Sequence, residues 1–111
     1  MLKKEEAINK IEQYIQLNGH DFNLSMQLLA FYEREQKTEK IVPFLKEMYY
    51  EYKTNNETLE LNKTKVLLVK YIVKDNVGMA IDFLEENQEE DEILLNLYKI
   101  TNQPQKAYDV L

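Results

Sequence analysis

Chemistry has few places to reside in this chain. Cysteine is missing and histidine occurs once, which removes thiolate nucleophiles, disulfides and thiolate metal sites and leaves too little imidazole for a transition-metal centre. The one histidine, His20, stands between Gly19 and Asp21 and could form an acid-base pair with Asp21. Such a pair needs a further group to orient it, and none is visible, so the preferred reading is a polar turn residue. The segment Glu85-Glu86-Asn87-Gln88-Glu89-Glu90-Asp91-Glu92 holds six carboxylates in eight residues and could attract a basic partner or a calcium ion. It lacks the Asp/Asn alternation and central Gly of a calcium loop. A solvated turn whose last acids sit at a helix N-terminus, where the helix dipole favours negative charge, accounts for it more simply. Met48, Tyr49, Tyr50 and Tyr52 are residue types found at binding hot spots. Neighbouring residues on a helix point about 100° apart, so Tyr49 and Tyr52 are expected in the core and Tyr50 nearer water. Three Asn-X-Ser/Thr triplets, at Asn23, Asn56 and Asn62, reflect the abundance of Asn, and no sugar is expected. The residues therefore suggest a non-enzymatic protein with no catalytic set, no cofactor and no metal.

The elements that would carry these residues are bounded by composition. At 111 residues the chain makes one domain, residues 1–111, able to bury a single core. An apolar fraction of 44% with 31% charged residues belongs to the soluble globular class, and no apolar run approaches the roughly 18 residues of a membrane span. The opening Met1-Leu2-Lys3-Lys4-Glu5-Glu6 turns acidic where a secretory leader would become apolar, so a cytoplasmic location is expected. Net charge is −6, and residues 56–111 carry six basic against eleven acidic groups. That half would repel a phosphate backbone, which argues against nucleic acid as a partner. Abundant Lys, Asn, Ile and Tyr with a single arginine, Arg34, is the usage of an AT-rich genome and points to a low-GC bacterium.

Helical periodicity runs through the whole chain. Ala7, Ile8, Ile11 and Ile15 mark a first helix over residues 3–18 that stops at Asn18-Gly19. Asp21 can cap a second helix carrying Leu24, Leu28, Leu29, Phe31 and Tyr32. Thr38 is a candidate cap for a third, carrying Ile41, Val42, Phe44, Leu45, Met48, Tyr49 and Tyr52. Pro43 is tolerable only near the start of such a helix, which places that start nearer Ile41 than Glu39. A fourth helix, from Asn56 through Val73, is apolar over so much of its circumference that contact on two sides is expected. Met79 to Asn87 form a fifth, Glu89 to Ile100 a sixth, and Gln103 to Leu111 begin a seventh. No alternating run or hairpin turn signals a strand. Connections this short between amphipathic helices turn the chain back on itself, so the fold class is all-α with antiparallel neighbours.

A repeated figure organises these helices. Leu28-Leu29 with Tyr32 is followed by Ile41 and Leu45; Leu67-Leu68 with Tyr71 by Ala80 and Leu84; Leu94-Leu95 with Tyr98 by Ala107 and Leu111. In each copy the Tyr lies three residues after the second Leu, the small or branched residue nine after the Tyr, and a Leu four beyond that. The figure resembles the tetratricopeptide repeat, a helix-turn-helix unit in which a small residue on the second helix lets it approach the first. The resemblance covers most of residues 23–111. It is degenerate: the Tyr-to-Tyr spacings are 39 and 27 against a family period of about 34. Leu29, Leu68 and Leu95 replace the usual Gly, and Ile41 stands where Ala is expected.

The resemblance implies a short right-handed α-solenoid of about seven helices that binds a peptide or partner protein on the concave face of its first helices. The residues it would present are Asn23, Met26, Asn62, Lys65, Val69, Asn96 and Lys99, with Ala30, Glu33, Ile72 and Glu92 beside them. Met26 and Ala30 stand where carboxylate-gripping members carry Lys and Asn, so a C-terminal clamp is not expected. Two other readings stay open: a structural or dimerising spacer of a larger regulator or receptor, and an RNA-binding helical repeat. Residues Ala7 to Glu12 match Ala80 to Glu85, so the chain begins on a second helix. That start, with the brief final helix, suggests either a segment of a longer solenoid or a homodimer formed through terminal helices.

Overall fold

The computed structural model describes residues 2–89 and 91–101, and these form six helices: α1 (Leu2–Asn18), α2 (Phe22–Arg34), α3 (Thr38–Thr54), α4 (Thr58–Asp75), α5 (Val77–Glu86) and α6 (Glu92–Ile100). The all-α class holds, with no strand among the described residues. The seventh helix expected over Gln103 to Leu111 lies outside them. No helix among the described residues is long and apolar enough to cross a membrane.

Short polar side chains start the helices by taking up amides that lack an intrahelical acceptor. Asp21 accepts from the Leu24 amide at 3.0 Å, as its place in the sequence suggests. Asn76 accepts from Met79 N at 3.3 Å, so α5 starts two residues before the expected Met79. Asp91 accepts from the amides of Ile93 and Leu94 at 3.1 and 3.3 Å, so α6 starts at Glu92, later than the expected Glu89. Helix α3 departs from expectation in the other direction. It starts at Thr38, after Lys37 with no side-chain cap, and Pro43 is its sixth residue. Proline leaves the Glu39 carbonyl without an amide donor; both residues are exposed, so water can take that place.

Three helices end in the same way. At the ends of α2, α3 and α5 the residue after the C-cap takes a left-handed backbone: Gln36, Asn56 and Gln88, with φ of 57° to 58°. The next amide reaches back to the third helical residue from the end: Lys37 to Tyr32 O at 2.8 Å, Glu57 to Tyr52 O at 2.9 Å, and Glu89 to Leu84 O at 2.8 Å. This is the Schellman arrangement. Helix α1 instead ends on Gly19, with φ of 87°.

The chain divides within α4 into two compact units, Met1–Leu68 and Val69–Leu111. In the first, α2 packs against both α1 and α3. Its core is made of Ile15, Leu28, Leu29, Phe31, Tyr32, Ile41, Phe44, Leu45, Met48, Tyr49 and Tyr52, while Tyr50 is exposed, the division that helical geometry predicts. In the second, α5 packs against α6 around Ala80, Ile81, Phe83, Leu84, Leu94, Leu97 and Tyr98. Burial on α4 follows one stripe, Thr64, Lys65, Leu68, Val69 and Ile72, and Leu59 and Val66 are exposed. Leu61, Leu67, Tyr71 and Val73 are half-buried beside that stripe.

Candidate functional site

The turn between α1 and α2 is where the first unit concentrates its polar chemistry. Helix α3 holds both backbone groups of His20: the Glu51 carboxylate accepts from its N–H at 2.6 Å, and the Tyr52 hydroxyl donates to its carbonyl at 3.0 Å. Gly19 makes room for this, since a Cβ there would stand 3.0 Å from Glu51 Oε2. His20 lies in the turn, as expected, and its side chain, only 6% exposed, faces inward. Its ring meets Phe44 edge-on at 5.1 Å. Nδ1 is 3.2 Å from Ser25 Oγ, and Nε2 is 3.8 Å from Glu47 Oε2. Burial pulls the imidazole pKa below its usual value, and Glu51 and then Glu47 oppose that shift without overcoming it. Asp21, the partner suggested by adjacency, caps α2 instead.

A cavity of about 620 Å³ opens beside this turn, lined from α1, α2 and α3. Its floor is Ile15, Leu28, Tyr32 and Phe44; around them stand Glu12, Gln16, His20, Glu47, Tyr50 and Glu51. Tyr32 donates to Glu12 Oε2 at 2.8 Å, and burial, reinforced by that bond and by the charges of Glu12 and Glu47, pushes its phenol pKa upward. No Lys or Arg lines this cavity. A smaller cleft of about 240 Å³ is different, because Lys37 and Lys40 share it with Glu5 and Glu12. These two lysines also lie 5.6 and 5.7 Å from the ring centres of Phe31 and Tyr32.

The Ser25 and His20 pair has the elements of an activated hydroxyl, but Ser25 is fully buried and no substrate carbonyl can reach its Oγ. Among the described residues no group of three or more His, Cys, Asp or Glu side chains is arranged to hold a metal ion. In the acidic segment, Asp91 is a helix cap and Glu85 accepts from the Tyr98 hydroxyl at 2.6 Å; Glu90 lies outside the described residues.

The partner-facing residues inferred from the resemblance lie elsewhere. Asn23 on α2, Asn62 on α4, and Asn96 and Lys99 on α6 are exposed, Met26 on α2 is half-buried, and Lys65 and Val69 on α4 are buried. None of the seven lines the larger cavity. That cavity is hard to see in the sequence because its carboxylates are scattered at positions 12, 47 and 51. The available signal was the four-residue spacing of Glu47 and Glu51, which places both on one helix face. Comparison with protein-family models, curated proteins and solved structures finds no match.

Proposed function

We propose that this chain is a non-enzymatic protein-interaction scaffold, a degenerate tetratricopeptide-like α-solenoid that holds a peptide or partner protein. The observation that supports this reading is a contact made twice. Tyr32 on α2 donates to Glu12 on α1, and Tyr98 on α6 donates to Glu85 on α5. Glu12 and Glu85 close the two matching segments Ala7 to Glu12 and Ala80 to Glu85, and the two tyrosines are the same position of the repeated figure. One helix-pair design used in both units is the hallmark of repeat architectures, whose surfaces serve as binding platforms.

On this reading the partner rests on the first helix of each pair, at Asn23 and Met26 of α2, Asn62 of α4, and Asn96 and Lys99 of α6, while Lys65 and Val69 of α4, which are buried, support that face from within. Affinity capture from native lysate tests it, comparing the chain with a variant carrying Asn23→Ala, Asn62→Ala and Asn96→Ala, all at exposed positions. A specific partner retained by the first and lost by the second is expected. Equal retention would favour a spacer role, and turnover of a substrate with no partner captured would overturn the proposal.

A further inference from the structure

We propose that the cavity among α1, α2 and α3 receives an arginine side chain presented by a partner peptide, an inference that rests on the scaffold reading above and gives it a chemistry. Charge supports it first. Glu12 comes from α1 and Glu47 and Glu51 from α3, and no cation lines the cavity. Each of these carboxylates has one oxygen directed to a known contact: Glu12 to the Tyr32 hydroxyl, Glu51 to the His20 amide, and Glu47 to the imidazole at 3.8 Å. Each can offer its second oxygen to a ligand, and Glu12 also borders the cleft that holds Lys37 and Lys40. A chain of net charge −6 adds a favourable long-range field for a cation.

A second observation is independent of the acids. The His20 side chain is more than nine-tenths buried and lines the cavity, and its Nε2 makes no hydrogen bond among the described residues, since 3.8 Å to Glu47 exceeds hydrogen-bond reach. Burial keeps the ring neutral at pH 7. In the tautomer whose Nδ1–H donates to Ser25 Oγ, Nε2 carries a lone pair that can accept a hydrogen bond from a ligand.

A guanidinium fits this acceptor set better than an ammonium. Its planar fork carries five donors and can meet carboxylates placed apart, and it stacks on aromatic faces. Tyr50, 47% exposed at the rim, offers such a face, and the apolar floor accommodates the aliphatic stem. At about 620 Å³ the cavity has the size of a ligand cleft, larger than one side chain fills, so it also accommodates an apolar neighbour on the peptide. Glu47, 72% exposed, is poised to close over the guanidinium.

The test uses the full chain and blocked Leu-Arg-Leu peptide, with the Leu-citrulline-Leu and Leu-Lys-Leu peptides as comparisons, followed by NMR at the His20 ring nitrogens and the Tyr50 amide. Saturable shifts at both sites are expected with the arginine peptide, at least about tenfold tighter than with citrulline, and weakened about tenfold by Glu47→Gln. That substitution lies on the exposed rim and leaves the His20 staple intact. Three results would each overturn the inference: no saturable shift up to millimolar peptide, equal binding of the citrulline peptide, or binding untouched by Glu47→Gln. Equal affinity for the lysine peptide would overturn the guanidinium assignment. A lysate partner that is lost by the triple Asn variant and kept by Glu47→Gln would leave the scaffold reading standing while this inference fell.

Discussion

Protonating His20 places a charge on a side chain that is largely withdrawn from water. Its pKa lies below the unfolded value of 6.5 because burial outweighs the attraction of Glu51 and Glu47. The unfolded chain therefore binds this proton more readily than the folded one as pH falls through 6.5. The stability contributed by His20 should be complete above that pH and decline from there toward its folded pKa. Urea denaturation between pH 7.5 and 5.5 measures this, and His20→Gln should flatten that part of the profile. Because the chain has a single histidine, an NMR titration of the ring reports the folded pKa directly; a value above 6.5 would overturn the argument. The tyrosine hydroxyls allow a second test. Tyr32→Phe and Tyr98→Phe each delete one bond to a carboxylate while keeping the ring, and each should cost about 1 kcal/mol in the same assay.

Among the elements, the turns carry strain that substitution can release. Gln36 and Gln88 hold a left-handed backbone that favours glycine, so Gln36→Gly and Gln88→Gly should each raise stability by about 0.5–1 kcal/mol. Asn56→Gly should gain less, since Asn tolerates that conformation. The reverse change at Gly19, Gly19→Ala, should cost on the order of 1–2 kcal/mol in backbone energy, and more because the new Cβ presses on Glu51. The helices were legible from apolar spacing, and so was the cap at Asp21, since both depend on residues within one turn of each other. Starts at Thr38, Val77 and Glu92 were misplaced by one to three residues. Here the outcome was decided by which side chain reached a free amide: Asn76 falls between the expected fourth and fifth helices, and Asp91 inside the expected sixth, yet each caps a helix. The His20 staple was illegible for a different reason. Glu51 and Tyr52 lie more than thirty residues away, and periodicity says which face of α3 is apolar but not which turn it covers.

At the scale of the molecule, the helix pairs that pack most closely among the described residues are sequence neighbours: α1 with α2, α2 with α3, and α5 with α6. Contacts so local require little loop closure before they form, so the chain should refold in milliseconds or faster in stopped-flow mixing. A phase lasting seconds would contradict this. Charge works at the same scale. At net −6 the protein should pass through heparin unretained at neutral pH, and salt-dependent retention would revive an RNA-binding reading.

The paired tyrosine and glutamate contacts also give the protein an optical signature. It has eight tyrosines and no tryptophan, so its near-ultraviolet emission is tyrosine emission. An excited phenol is a far stronger acid than a ground-state one, and at Tyr32 and Tyr98 a carboxylate oxygen waits 2.8 and 2.6 Å away to take the proton. Those two residues should be dark in the folded chain. Unfolding separates each phenol from its acceptor, so the light from this protein should grow as its structure is lost.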